Sequence, residues 1–93
     1  MGMRGQSAII TGAASGIGAA TAVKLAEQGV NVTLVDLNSC ENTINKIRSL
    51  NNDVKIIEKL GDIREPSFVN NVVDESVKEF GNIHILVNNA GTC

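Results

Sequence analysis

The chain has no tyrosine and no tryptophan, and its only aromatic residues are Phe68 and Phe80. Cysteine is also scarce: Cys40 and Cys93 form neither a CxxC pair nor a metal-ligand spacing, which argues against a zinc site or a disulfide framework. The amino-terminal residues show no signal-peptide pattern. We therefore expect no metal site, and two reduced thiols in a cytoplasmic protein.

Charge of one sign and long apolar runs are missing as well. Lys and Arg number 8 against 10 Asp and Glu, which gives a formal net charge of −2. No basic run or aromatic platform is present, so nucleic acid is a poor candidate partner. No apolar stretch reaches the roughly 18 residues of a membrane-spanning helix, so we expect no membrane partner either. The 93 residues, 43% of them hydrophobic, can form one small domain with a core.

The residues that are present alternate between strand and helix patterns. Short apolar or β-branched runs predict four strands, at 7–11, 31–36, 54–60 and 83–87. An Ala-rich segment at 16–28, followed by Gly29, predicts the first helix.

Two more helices are predicted between the later strands. Asn38 and Glu41 have the spacing of a capping box for the second helix. The apolar stripe of that helix consists of Cys40, Ile44 and Ile47. Pro66 begins the third helix and Gly81 ends it. The stripe of the third helix is the cleanest in the chain and consists of Phe68, Val69, Val72, Val73, Val77 and Phe80.

Strands that are apolar on both faces and separated by helices indicate a parallel sheet covered on both sides. Because crossovers between parallel strands are right-handed, the expected strand order is 3-2-1-4. The sequence therefore predicts an α/β fold, a truncated Rossmann-like half with a four-stranded parallel sheet and three helices.

The segment TGAASGIG, residues 11–18, lies between the first strand and the first helix. Gly12 permits a sharp turn, Gly16 lets backbone approach a phosphate, and Gly18 lets the helix pack closely. The helix then directs its free N–H groups and positive dipole end at a pyrophosphate, where Ser15 adds a hydroxyl. A glycine cluster alone also fits a flexible turn. The strand–turn–helix context favours dinucleotide binding over that alternative.

Asp36 ends the second strand, twenty residues after Gly16. A carboxylate at this place accepts hydrogen bonds from the adenosine ribose. It also repels a 2′-phosphate, and Ala14, Leu37 and Asn38 nearby carry no cation to hold one. NAD is therefore favoured over NADP. The alternative interpretation of Asp36 is an exposed charge without a role. We expect residues 1–93 to form a partial NAD(P)-binding Rossmann domain.

Four motifs together resemble the short-chain dehydrogenase/reductase family in order and spacing. They are the glycine pattern at 11–18, the acidic strand end at Asp36, GDI at 61–63 and NNAG at 88–91. The resemblance implies an oxidoreductase that transfers a hydride between NAD and an alcohol or carbonyl. It covers about the first third to two fifths of a typical member.

The resemblance also implies roles for residues beyond the glycine motif. It implies that Asp62 hydrogen-bonds the adenine ring, with Ile63 against the ring. Asn88, Ala90 and Gly91 are implied to line the cofactor's ribose and to brace the fourth strand, although an Asn pair also fits a loop that satisfies its own backbone. The predicted cofactor-binding residues are Gly12, Ser15, Gly16, Ile17, Gly18, Asp36, Asp62, Ile63, Asn88, Ala90 and Gly91.

The resemblance places catalysis in an Asn, a Ser and a Tyr-x-x-x-Lys motif, all after the NNAG loop. The Tyr exchanges a proton with the substrate oxygen, and this chain has no Tyr. His84 lies at a strand start, and Lys59 and Lys78 have no supporting pattern, so we predict no catalytic residue here.

Three functions stay open from the sequence. The first is an NAD-dependent oxidoreductase of which these residues are the amino-terminal piece, inactive alone. The second is a catalytically inactive module that binds a nucleotide or pairs with a fuller homologue. The third is a remnant without a role. Because the fourth strand would form an open apolar edge, we also expect self-association.

Overall fold

The computed structural model describes residues 3–89, in which strands and helices alternate. The strands are β1 (Ser7–Thr11), β2 (Asn31–Asp36), β3 (Ile56–Leu60) and β4 (Ile85–Val87). The helices are α1 (Gly16–Glu27), α2 (Glu41–Leu50) and α3 (Pro66–Phe80). The strands form one parallel sheet in the order β3-β2-β1-β4. The predicted α/β fold and strand order are confirmed.

The strand order places the loops after β1 and β4 side by side. The chain runs from β1 to β2 and β3 in one direction along the sheet, and then crosses to β4 on the other side of β1. Because all four strands are parallel, their carboxyl ends lie at one edge of the sheet. In open α/β sheets, the crevice at such a reversal of strand order is where ligands bind.

Helices α1 and α2 cover one face of the sheet and form the main core. Every second residue of the central strands points to this face, including Ile10, Val32 and Leu34. Cys40 and Ile47 of the predicted α2 stripe are buried there, and Ile44 is partly buried. Burial of a side chain such as Leu34 contributes about 1.5–3 kcal/mol, so this layer stabilises the sheet that carries the loops.

Helix α3 packs on the other face through a smaller core of Ile9, Val35 and Val72. Only Val72 of its predicted apolar stripe is buried; Val69, Val73 and Val77 are 38% to 42% exposed. The second buried position of α3 is polar: the Ser76 and Thr33 hydroxyls lie 2.7 Å apart, and both residues are fully buried. The apolar stripe is therefore wider than the surface that the sheet offers to α3.

The predicted capping box of the second helix is wrong. Helix α2 begins at Glu41 after Cys40, whose side chain makes no capping hydrogen bond, and the Glu41 N–H donates to Ser39 Oγ at 3.1 Å instead of to Asn38. The N–H of Asn38 donates instead to Asp36 Oδ1, at 2.9 Å. The N–H of Cys40 donates to a carboxylate oxygen of Glu58 on β3, at 2.8 Å. These two carboxylates take up the backbone donors, so residues 37–40 form a turn where the spacing predicted a helix start.

Element ends differ from the prediction by one or two residues. Helix α1 ends at Glu27, β3 begins at Ile56 and β4 begins at Ile85. His84 precedes β4, where its Nδ1 accepts a hydrogen bond from the Ser7 N–H at 3.1 Å. This contact lies at the amino ends of β1 and β4, opposite the loops. Between residues 3 and 89, no helix combines the length and the apolar character needed to cross a membrane.

Candidate functional site

The segments that carry the predicted site residues meet at the carboxyl edge of the sheet. The N–H of Ala14, in the loop after β1, donates to Asp36 Oδ2 at 2.9 Å. The N–H of Gly61, after β3, donates to the carbonyl of Asp36 at 3.0 Å. The hydroxyl of Thr11 donates to Asn88 Oδ1 at 3.0 Å, which joins the ends of β1 and β4. Hydrogen bonds thus connect the loops after all four strands.

The glycines of the β1–α1 loop meet two different requirements. Gly12 and Gly16 have positive φ angles of 68° and 61°, a region that side chains with a Cβ disfavour. Gly18 has no such angle, but a Cβ there would overlap the carbonyl oxygen of Gly12 and lie 2.7 Å from its carbonyl carbon. The predicted turn at Gly12 is present. At Gly18 the close approach is to the loop backbone.

The amino terminus of α1 has the properties of an anion site. Ser15 precedes the helix and its side chain makes no capping hydrogen bond. The first turn of α1 contains no acidic residue, in contrast to that of α2, which contains Glu41. The positive end of the helix dipole is therefore not neutralised. Ile17 lies in this turn and is 73% exposed, so its side chain is accessible to a ligand at the edge of the sheet.

Asp36 is a structural residue of the site before any ligand is considered. Its Oδ2 accepts from Ala14 in the glycine loop and its Oδ1 accepts from Asn38 in the next turn. A carboxylate has about four lone-pair sites, so two acceptor positions are left for a ligand's hydroxyl groups. The sequence identified Asp36 as a ribose ligand but did not predict that it also holds the glycine loop.

Thr11 is the residue of the site that the sequence prediction missed. Its hydroxyl bonds to Asn88, and the Asn89 N–H donates to the same oxygen at 2.8 Å. Thr11, Ile63 and Asn88 also line one apolar hollow of about 240 Å³ between α3 and the sheet. The position of Thr11 directly before Gly12 was visible in the sequence, but its partners are 77 and 78 residues away. Ala90 and Gly91 lie outside the described residues.

Asp62 follows β3 and is paired with Arg64. The guanidinium Nη2 lies 2.8 Å from Asp62 Oδ2, and Nε lies 3.1 Å from both carboxylate oxygens. The backbone N–H of Arg64 donates to Oδ1 at 2.8 Å. These hydrogen bonds from Arg64 stabilise the charged carboxylate and lower the pKa of Asp62 to about 2. Asp62 is therefore an acceptor over the whole neutral range.

This pairing predicts a measurable titration. Because the pKa of Asp62 is lowered on folding, its pairing stabilises the fold above pH 4 and this contribution is lost as the pH falls towards about 2. In an Arg64→Met variant, we expect the pKa of Asp62 to return towards its ordinary value of 3.8. Carboxyl-carbon NMR titration of both proteins measures this. An unchanged Asp62 pKa in the variant would contradict the pairing.

Other chemically reactive side chains lie away from this edge or are inert. Cys40 is buried, and burial together with the nearby Asp36 and Glu58 carboxylates raises the pKa of its thiol to about 11. Lys59 pairs with Glu75 at 3.8 Å. Across residues 3–89, no three His, Cys, Asp or Glu side chains are placed to hold a metal ion. Within residues 3–89, the edge of the sheet therefore offers groups suited to binding, and the described thiol, that of Cys40, is buried.

The residues at this edge fit an adenine dinucleotide. The first turn of α1 contains no acidic residue, so the positive end of its helix dipole suits a pyrophosphate. Gly18 lies against the Gly12 carbonyl and has no side chain that could separate the helix from the loop. Asp36 presents acceptor oxygens on one side of the loop. Asp62 lies near Asp36, because the N–H of the preceding residue, Gly61, donates to the Asp36 carbonyl. The arrangement offers the positive end of a helix dipole together with carboxylate hydrogen-bond acceptors.

Comparison with known proteins agrees with this geometry. The model of the short chain dehydrogenase family matches residues 6–93. General stress protein 39 of Bacillus subtilis (strain 168) is 40% identical over 90 residues, covering 96% of this chain and 32% of that protein.

Two of the similar solved structures hold different cofactors. Carveol dehydrogenase from Mycobacterium avium, in complex with NAD, has a TM-score of 0.87 at 28% identity, covering 97% of this chain and 37% of that one. L-Sorbose reductase from Gluconobacter frateurii, complexed with NADPH and L-sorbose, has a TM-score of 0.88 at 36% identity. The match covers 99% of this chain and 35% of that one. One of these two proteins therefore binds NAD and the other binds NADPH.

The chain spans about a third of the length of the curated relatives it matches. The family match nevertheless includes every described strand and helix, from β1 to β4. The chain belongs to the short chain dehydrogenase family.

Proposed function

We propose that this chain supplies the adenosine- and pyrophosphate-binding part of an NAD-dependent oxidoreductase acting on an alcohol or a carbonyl. One observation carries the proposal: the glycine loop, hydrogen-bonded to Asp36, lies at the uncompensated amino terminus of α1. The eleven residues predicted from the sequence are proposed as its cofactor ligands. A location in the cytoplasm stays a prediction.

The preference for NAD rests on Asp36. Its carboxylate is held by Ala14 and Asn38, so it cannot easily turn away from a 2′-phosphate on the adenosine ribose. No lysine or arginine occurs between Gly12 and Cys40 except Lys24, in the last turn of α1. Repulsion by Asp36 without a compensating cation supports NAD over NADP.

The role of these residues is binding and orientation. A bound NAD supplies the hydride acceptor, and the residues of this chain hold its adenosine half at the edge of the sheet. The proton that leaves or joins the substrate oxygen needs an acid–base group. The 93 residues contain no tyrosine, the residue that the family resemblance assigns to this step. We therefore propose that these residues alone do not catalyse hydride transfer.

The proposal predicts binding directed at the adenosine end. Because the proposed ligands Gly12–Gly18, Asp36 and Asp62 serve adenosine and pyrophosphate, ADP-ribose is expected to bind about as tightly as NAD. Isothermal titration calorimetry of the 93-residue chain with both ligands measures this. Nicotinamide mononucleotide, which lacks the adenosine half of NAD, is the matched control and is expected to show little heat. NAD binding more than about tenfold tighter than ADP-ribose, a difference of about 1.4 kcal/mol, would contradict the proposal.

A second candidate is an interaction module, favoured by the exposed apolar side chains on one face. Leu86 of β4 is 69% exposed, and Val69, Val73 and Val77 of α3 lie on the same side of the sheet as the smaller core. Strand β4 pairs with β1 on one side, and its other side is an edge of the described sheet. Such a surface promotes pairing with another copy or a fuller homologue.

We therefore expect the 93-residue chain to self-associate and to have a broad thermal transition. Size-exclusion chromatography with light scattering gives the mass, and a Leu86→Lys variant is the control that should reduce association. A monomer with a sharp, cooperative melt would contradict this expectation and favour an independent nucleotide-binding module.

A further inference from the structure

Arg64 covers the carboxylate that the proposed function assigns to the adenine base. The side chain of Arg64 is 85% exposed, whereas that of Asp62 is 27% exposed. The guanidinium therefore lies on the solvent side of Asp62, the side from which a ligand arrives. Its two nitrogens contact both carboxylate oxygens at 2.8 and 3.1 Å.

Arg64 engages both carboxylate oxygens of Asp62 through three N–H donors. Its backbone N–H donates to Oδ1, its Nη2 donates to Oδ2, and its single Nε–H is shared between the two oxygens. A carboxylate offers about four lone-pair sites, so these donors occupy most of the acceptor capacity. The exocyclic amino group of adenine therefore competes with the guanidinium for these oxygens. The backbone N–H does not need to move, because it belongs to the turn itself.

We propose that Arg64 is a positioning residue that competes with adenine for Asp62 and thereby lowers the selectivity of the site for adenine. This inference rests on the proposed function. Hypoxanthine carries an oxygen where adenine carries the amino group. That oxygen is repelled by the bare Asp62 carboxylate but can accept a hydrogen bond from the guanidinium that covers it. Arg64 thus opposes adenine and tolerates hypoxanthine.

The size of the effect follows from the exposure of the pair. A solvent-exposed ion pair contributes little, so displacement of the guanidinium weakens adenine binding by a factor of at most about five. Removal of Arg64 is expected to tighten NAD binding by about two- to fivefold and to weaken binding of the hypoxanthine analogue. The dissociation constant of the hypoxanthine analogue divided by that of NAD should therefore rise by about twofold or more.

The experiment compares NAD with nicotinamide hypoxanthine dinucleotide on the parent chain and on Arg64→Met. Both ligands carry the same phosphates, so the loss of one positive charge affects them equally and cancels in the ratio. Lys55→Met is the matched control, because it also removes a cation from an exposed ion pair, the one with Glu79. Lys55 directly precedes β3, so it lies at the other end of that strand from Asp62. Titrations followed by amide NMR shifts give all six dissociation constants, and thermal melts check that each variant folds.

A raised ratio in Arg64→Met, with an unchanged ratio in Lys55→Met, is the expected result. A ratio that is unchanged or lower in Arg64→Met overturns this inference while leaving the proposed function intact. Failure of the parent chain to bind either dinucleotide overturns the proposed function, and this inference with it.

Discussion

A Gly18→Ala variant is expected to lose about 3 kcal/mol or more of unfolding free energy, the upper end of what overpacking costs. The added methyl group would overlap the carbonyl oxygen of Gly12 and lie 2.7 Å from its carbonyl carbon. Backbone atoms cannot turn aside as a side chain can, so the loop or the start of α1 must move. Against a total stability of about 5–15 kcal/mol, this is a large loss.

Gly16→Ala is the matched control for this substitution. A Cβ at Gly16 would have no neighbour within 4 Å, so its only cost is the positive φ angle of 61°. That cost is about 1–2 kcal/mol. Urea unfolding of the parent and both variants, followed by circular dichroism, measures the difference. Equal losses for the two variants would show that Gly18 has no special packing role and that the loop needs only conformational freedom.

An Asp36→Ala variant is expected to change both the stability of the loop and the preference between cofactors. It removes the acceptors of the Ala14 and Asn38 N–H groups, and hydrogen bonds to a charged group contribute about 1.5–3 kcal/mol each. It also removes the charge that repels a 2′-phosphate. Affinity for NAD should fall, and the preference for NAD over NADP should shrink by about tenfold or more, equivalent to about 1.4 kcal/mol of charge repulsion.

Asp36→Asn separates these two effects. The amide keeps one acceptor oxygen and the shape of the side chain but carries no charge. We expect Asp36→Asn to relax the cofactor preference nearly as far as Asp36→Ala, with a smaller loss of stability. Calorimetric titration with NAD and NADP, together with thermal melts, distinguishes the outcomes. If both variants reject NADP as strongly as the parent, Asp36 is not the residue that selects the cofactor.

The strand order and the glycine loop were predictable because they depend on local patterns. Apolar runs such as residues 7–11 and 31–36 each specify a buried strand, and the handedness of crossovers then leaves few arrangements. The positions of Gly12 and Gly16 between strand and helix specify the turn without knowledge of any distant contact. Predicted starts and ends of elements differed by up to two residues, because strand pairing and not hydropathy sets where a ladder begins.

Most of what the prediction missed involves partners distant in sequence. Ser76, not an apolar residue, fills a buried position of α3, because Thr33 lies opposite it across 43 residues. The capping box after Asn38 did not form, because the carboxylates of Asp36 and Glu58 took the backbone donors. The role of Thr11 depends on Asn88, 77 residues away.

The sequence by itself therefore determined the class of fold, the order of the strands and the edge at which a dinucleotide is expected to bind. Only the tertiary structure decided which partners the groups at that edge have: Asp36 holds the glycine loop through the Ala14 N–H, and Asp62 is paired with Arg64. The physical reason is the distance along the sequence over which each effect acts. Periodicity and turn chemistry act between neighbours, whereas the partner of a carboxylate or a hydroxyl is chosen by which elements pack together and which donors they leave within about 3 Å.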